Sequence, residues 1–309
     1  MSIEALPLVS EKCKSDVRAE LNLDQHGITQ AVETIKLWLR YQPHLPDDED
    51  ERILEAWLIR CKNSIEKTKE TLDMYFTLRA EHSDIMCGWE PTESWFEKSS
   101  QYGYIFALPK LTPDLNRVLL FGYYTKELDD DYSVWDSVKL MLMVTEIRLV
   151  EDYNLKDIYI MDMKNLRFDH IKRITFTVVK KLEACFLTGY KSRMKAIHFV
   201  NTPTYAEVLV NVLKSVLKSK LVSRVFVHGD DLTELHKQVP KSILPMELGG
   251  ECATLDQHWD LWKGKMKNYS SYFQKRETMK SDESKRINRK SDDSVLLGIE
   301  GSFRTLNID

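Results

Sequence analysis

From residue 103 to residue 229 the sequence alternates between two hydrophobic periods, and few architectures accept that pattern. Segments such as "YIFALP", "RVLLFGYY", "KDIYIMDM", "KAIHFVN" and "RVFVHG" are short, β-branched or aromatic, and apolar. Between the last four lie longer segments with helical spacing: "SVWDSVKLMLMVTEIRLVED", "DHIKRITFTVVKKLEACF" and the stretch from 201 to 221. Strands alternating with helices point to an α/β sheet, here of roughly five strands, covered by helices.

The flanks read differently. In "ITQAVETIKLWLR", Ile28, Val32, Ile35, Trp38 and Leu39 share one helical face. Pro43 and Pro46 then break the pattern, and the acidic run that follows suits a new helix start. "ERILEAWLIRCK" and "SIEKTKETLDMYFTLRAE" are amphipathic helices, the second with Ser64 as its cap. Residues 1–92 are therefore expected to be a small helical bundle, 93–255 the α/β domain, and 256–309 a C-terminal helix with a tail. Residues 275–294 are almost wholly polar and of mixed charge, the composition of a disordered segment.

The totals narrow the function classes. A net charge of −4 argues against bulk binding of nucleic acid. Five cysteines, an odd number without close pairing, favour a reducing compartment over a disulfide framework or a zinc site. The N-terminus lacks a run of signal-peptide length, so the chain is expected to be cytoplasmic and the Asn268-Tyr269-Ser270 sequon silent. Phosphate-binding glycine motifs, a hydrolase nucleophile elbow and a zinc-protease motif are all missing. An enzyme is thus not expected, and neither a metal nor a cofactor is.

Isolated polar residues take structural readings. His198 and His228 lie in strand segments and are expected to be hydrogen-bonded; Asp162 to cap or to bond a loop; Cys185 to be core. Asp129, Asp130 and Asp131 read as an acidic turn.

The segment from 201 to 221 is different. Tyr205, Val208, Leu209, Val212, Leu213, Val216, Leu217 and Leu221 form an unbroken helical stripe. Asn201 or Thr202 can cap it, and Pro203 suits its first turn. Arg193 and Lys195 precede the strand before it, while Lys220 and Arg224 flank its end. Four cations from neighbouring segments can converge on a multiply charged anion such as a phosphorylated lipid head group. Periodicity alone equally allows a helix simply packed on a sheet with solvated lysines.

Residues 157–250, with their "IHFVNTP" strand and turn, the apolar helix, "VFVHG" and the closing "ILPMELGG", resemble the CRAL-TRIO (Sec14-like) lipid-binding domain. The likeness is nearest the branch that contains the α-tocopherol transfer protein and the cellular retinaldehyde-binding protein. "ILEAWLIRCKNSIEKTKETLDMYFTLR" is similar to the small N-terminal domain of that family. The resemblance implies a sheet floor, a deep apolar cavity for one lipid, and a movable gate formed by residues 201–221. It implies a phosphoinositide cleft at Arg193, Lys195, Lys220 and Arg224. It also implies a lipid-binding set: Val138, Met141 and Thr145; Ile158 and Ile160; Phe168, Ile174 and Val178; and Tyr205, Val208, Leu209, Val212, Leu213 and Val216 from the gate.

Two departures matter. An arginine-rich run usual in the N-terminal domain is reduced here to Arg60 and Lys62. Met141 and Thr145 stand where the tocopherol protein has polar pocket serines, which weakens the case for tocopherol itself. The implied function is a carrier of one tocopherol-, retinoid- or carotenoid-like lipid that meets phosphoinositide-containing membranes peripherally and transiently. The alternative is a non-transferring lipid sensor that presents its ligand state to a protein partner, with the tail at 275–309 as the contact.

Overall fold

A computed structural model describes residues 4–124, 127–129 and 132–287. Six helices come first: α1 (Glu11–Ala19), α2 (Gln25–Arg40), α3 (Glu51–Arg60), α4 (Ile65–Glu81), α5 (Ser83–Met86) and α6 (Ser94–Ser100). Their starts follow local chemistry. Asp24 accepts from the Gly27 amide at 2.6 Å, Asp50 from Arg52 at 2.7 Å and Ser64 from Lys67 at 3.4 Å, each satisfying an otherwise orphaned donor.

Five strands follow: β1 (Gly103–Ala107), β2 (Asn116–Tyr123), β3 (Lys156–Asp162), β4 (Met194–Val200) and β5 (Val225–Val227). They lie in sequence order, with β1 antiparallel to β2 and the remaining pairs parallel. Parallel neighbours need crossovers, and the intervening helices supply them. Helix α7 (Val134–Glu151) joins β2 to β3; α8 (Phe168–Arg173) and α9 (Phe176–Glu183) lead to β4; α10 (Glu207–Val216) and α11 (Ser219–Val222) lead to β5. After β5 come α12 (Thr233–Gln238), α13 (Leu255–Asn268) and α14 (Ser270–Glu277).

Two long helices of the sequence reading are broken. The 169–186 segment divides at Ile174, because Thr175 caps α9 by accepting from the Val178 amide. It ends in a π-helical turn, Ala184–Gly189, that buries Cys185. The 201–221 segment is not one helix either. Asn201 adopts a left-handed φ of 50° and donates its side chain to Asp162, so it closes the end of β4 rather than capping. The Thr202 hydroxyl has no bond, and α10 begins only after a 3-10 turn, with Ala206 at its N-cap. At Leu217 the backbone turns extended, and α11 restarts at Ser219.

The expectation of disorder over 275–294 fails for residues 275–287. Arg276 and Met279 are buried, the Ser281 amide donates to the Phe76 carbonyl at 3.0 Å, and Asp282 donates to His44 at 2.8 Å. Mixed charge looked like solvation, but two of the cations have buried or half-buried partners. Arg286 bonds Asp73 at 2.9 Å, and Arg276 lies between Glu49 at 2.7 Å and Glu146 at 2.9 Å. Residues 288–309 lie outside the described residues.

The Arg276 cluster ties three parts of the chain. Glu146 of α7 also accepts from Tyr75 of α4 at 2.9 Å and from Tyr190 at 2.6 Å. Arg79 of α4 donates to the Arg276 carbonyl at 2.6 Å. Burial opposes ionisation of Glu146, but Arg276 and Arg79 outweigh it and hold its carboxyl below the ordinary value. A second buried cluster, Arg117–Asp152–Arg148–Asp157, fastens β2, α7 and β3, with contacts between 2.5 and 2.9 Å. Arg276→Ala would leave Glu49 and Glu146 buried without their cation, so stability should fall by about 3–5 kcal/mol in chemical denaturation; an unmoved unfolding midpoint would contradict the clamp.

Candidate functional site

The strand period of two sorts the sheet into two faces. On one face Ile105, Phe121, Tyr159, Met161, Ile197 and Phe199 floor a cavity of about 230 Å³. Val138 and Met141 of α7 line it from one side, and Val178, Val179 and Leu182 of α9 from another. Leu209, Leu213, Val216 and Leu217 close it from α10 and the residue beyond. The walls are overwhelmingly apolar, so the space suits a hydrocarbon body rather than an ion.

One polar feature at the rim is fully spent. Tyr104, Gly122 and Asp162 are in register across β1, β2 and β3. A side chain at 122 would collide with the Tyr104 ring, its Cβ lying 2.1 Å from the hydroxyl oxygen. Glycine there lets Tyr104 cross β2 and donate to Asp162 at 3.0 Å. Asp162 also accepts from Asn201 at 2.8 Å and from the Lys164 amide at 3.0 Å, which is the loop-bonding role expected of it.

Of the expected lipid-binding residues, Val138, Met141, Ile174, Val178, Leu209, Leu213 and Val216 line the cavity. The others do not. Ile158 and Ile160 point to the opposite face, into the core cluster that also holds Leu235 and Val239. Their neighbours Tyr159 and Met161 take the cavity face instead, because a shift of one residue exchanges the faces of a strand. Thr145 is buried, and its hydroxyl donates to the Met141 carbonyl at 2.9 Å within its own helix. Phe168 is 58% exposed and Val208 57%, so both face outward, and Tyr205, 46% exposed, lies along the surface with its hydroxyl donating to the Leu166 carbonyl. Val212 is half-buried beside the lining without being part of it. The stripe of α10 is thus divided lengthwise, one edge on the cavity and the other on the outer surface.

The four expected cations are placed unequally. Burial lowers the Lys156 pKa, and Lys195, Arg193, Arg224 and Lys62 lower it further, so these five share one field. Arg193 Nη1 is buried without a partner. Arg224 donates to the Met194 carbonyl. Lys220 is exposed on α11, the short helix that leads to Arg224. The sequence reading missed Lys156; a lysine at a strand start carries no signal until the register sets it beside β4. Arg60 turns inward, donating to the Tyr190 carbonyl at 2.7 Å, whereas Lys62 joins the basic group.

On the far face of the sheet, His198 Nδ1 and His228 Nε2 lie 3.0 Å apart, and His198 stacks on Phe226. Burial, then His228, pushes the His198 pKa down to about 4. His170, packed 4.1 Å from the Tyr123 ring, is also lowered to about 4, chiefly by burial. Among the described residues no group of three His, Cys, Asp or Glu is placed to hold a metal, and no helix is long and apolar enough to cross a membrane. Asp130 and Asp131 lie outside the described residues, and Asp129 accepts from Tyr102.

These histidines set an acid limit. Their native pKa lies below the ordinary 6.5, so the unfolded chain binds more protons below that value. Their contribution is complete above about 6.5 and is lost as pH falls toward about 4, on the order of 3 kcal/mol for each at full titration. Urea midpoints recorded across this window should decline, and His198→Gln should make the decline shallower; a flat profile would refute the assignment.

Comparison with known proteins agrees with this architecture. Residues 102–250 match the CRAL/TRIO domain family, and residues 24–96 match the Pinta-like UBA domain. The chain is 25% identical over 252 residues to the mouse alpha-tocopherol transfer protein-like protein, covering 80% of this chain and 72% of that one. It is 25% identical over 247 residues to rat clavesin-2, covering 78% and 75% respectively. The crystal structure of Sfh5 superimposes with a TM-score of 0.54 at 17% identity, covering 82% of this chain and 98% of that one, a likeness of fold. Residues 102–250, with their five-stranded sheet and apolar cavity, are a CRAL/TRIO domain, a family that binds small lipophilic ligands.

Proposed function

We propose that the protein carries one hydrophobic lipid in the cavity between the sheet and α7, α9 and α10, and delivers it at phosphoinositide-containing membranes. The observation that carries this reading is the apolar lining itself, with seven residues of the expected set upon it. The mouse relative's name, alpha-tocopherol transfer protein-like, supports a transfer role for this chain. Burying several hundred Å² of lipid surface yields a gross gain on the order of 10 kcal/mol at roughly 25 cal/mol per Å². Association and ordering reduce that gain, yet release still requires a path out of the cavity.

The path is the 204–222 segment. It is a pair of short helices separated by two extended residues, Leu217 and Lys218, and a swing away from the sheet would leave the main core cluster intact. Phe168, Tyr205 and Val208 present apolar surface to the outside next to it. Lys62, Lys156, Arg193, Lys195 and Arg224 form the basic cleft, with Lys220 at its edge, and the unpaired Arg193 nitrogen favours an anionic occupant. A membrane that binds both surfaces better in the open state shifts the chain toward opening.

Native mass spectrometry of the purified chain, followed by lipid extraction, should find one apolar lipid per chain; an empty cavity under all lipid supplies would refute the carrier reading. Met161→Trp should fill the cavity and weaken lipid binding at least about tenfold while leaving the circular dichroism spectrum intact. Lys195→Glu with Lys220→Glu should slow transfer to phosphoinositide vesicles by about tenfold at low salt and less at high salt. Equal transfer rates for variant and parent would remove the phosphoinositide step.

A further inference from the structure

The large cavity carries one wall hydroxyl with nothing to bond. Ser99 on α6 is 6% exposed, and its Oγ is buried without a partner. Trp95, one turn earlier, has a buried indole Nε1 that also lacks a partner. Residues four apart on a helix share a face. Both line a second, smaller cavity of about 160 Å³, and Ser99 and Tyr102 line the two cavities together. The apolar space therefore meets a polar side chamber at Ser99.

Of the other polar groups of that chamber, Ser94 and Lys98 are exposed to solvent and the rest are engaged. Ser133 accepts from the Asp136 amide at 3.3 Å, Asp136 faces Lys139 at 3.8 Å, and Tyr102 donates to Asp129. What remains is an indole N–H, which can only donate, and a hydroxyl, which can donate. Buried donors of this kind are satisfied by water or by ligand. A pure hydrocarbon would leave both unsatisfied, which weakens its binding. A ligand oxygen reaching the junction would offer both donors an acceptor.

We infer that the Trp95–Ser99 face of α6 is the polar-end subsite of the cavity, selecting lipids that end in a carbonyl oxygen (ketone, aldehyde or ester) over hydrocarbons of similar shape. This rests on the reading of the cavity as a lipid site. It adds a specificity determinant from a helix on which the sequence reading placed no site residue.

The test titrates diphenylhexatriene, a fluorescent hydrocarbon, and diphenylhexatriene carbaldehyde into the full chain and into Ser99→Ala, Trp95→Phe and the double variant. The ratio of carbaldehyde to hydrocarbon affinity should fall about tenfold, or 1.4 kcal/mol, in each single variant. A ratio cancels whatever a substitution does to both probes alike. If Trp95→Phe does not fold, Ser99→Ala decides alone, since it removes one buried oxygen. An unchanged ratio overturns the subsite and leaves the carrier reading standing. If the parent chain binds neither probe, the carrier reading falls, and the subsite with it.

Discussion

Side chains on a strand alternate between two faces, and in this sheet the alternation separates solid core from hollow. Tyr159 and Met161 reach the cavity; Ile158 and Ile160, between and beside them, are packed into the core. The same parity puts Ile197 and Phe199 over the cavity and His198 behind it, against Phe226 and His228. Everything that makes the cavity usable follows from that register. It aims aromatic and sulfur-bearing side chains at the cavity. It leaves branched aliphatic side chains to hold the floor rigid. It also keeps the histidine pair, joined through His198 Nδ1 and His228 Nε2, out of the cavity.

The fold was largely legible because its signals are local. Five apolar runs separated by helical stretches leave little choice of architecture, and Asp24, Asp50 and Ser64 mark their helix starts directly. The site was legible in part. Leu209, Leu213 and Val216 sit on a stripe that any periodicity reading finds, and Val138 and Met141 share a face of α7. The face of β3 was not legible, because "DIYIMDM" is apolar at both parities and either could be the floor. Nor were the helix breaks at Ile174 and Leu217, since neither position carries proline or glycine. Lys156 and the buried Arg276 share one difficulty: a charged side chain in a sequence looks solvated until its partners, distant along the chain, are known.

The two buried ionic clusters occupy a separate role from the site. Arg117, Arg148, Asp152 and Asp157 lock the strand ends beneath α7. Arg276, Glu146, Glu49 and Arg79 join the N-terminal helices, α7 and the C-terminal segment. Such clusters give little net stability over an apolar alternative, but breaking one leaves a charge stranded. They make the surroundings of the cavity hard to pull apart, and neither draws a residue from α10 or α11.

That division has a kinetic meaning. Global unfolding must strand the charges around Arg276, whereas α10 and α11 supply none of them. On the proposed carrier function, the lifetime of cargo in the cavity and the lifetime of the folded chain would be governed by different barriers. Strengthening the Arg276 clamp would then lengthen survival on heating without slowing unloading, and loosening the Leu217 joint would speed unloading without shortening survival.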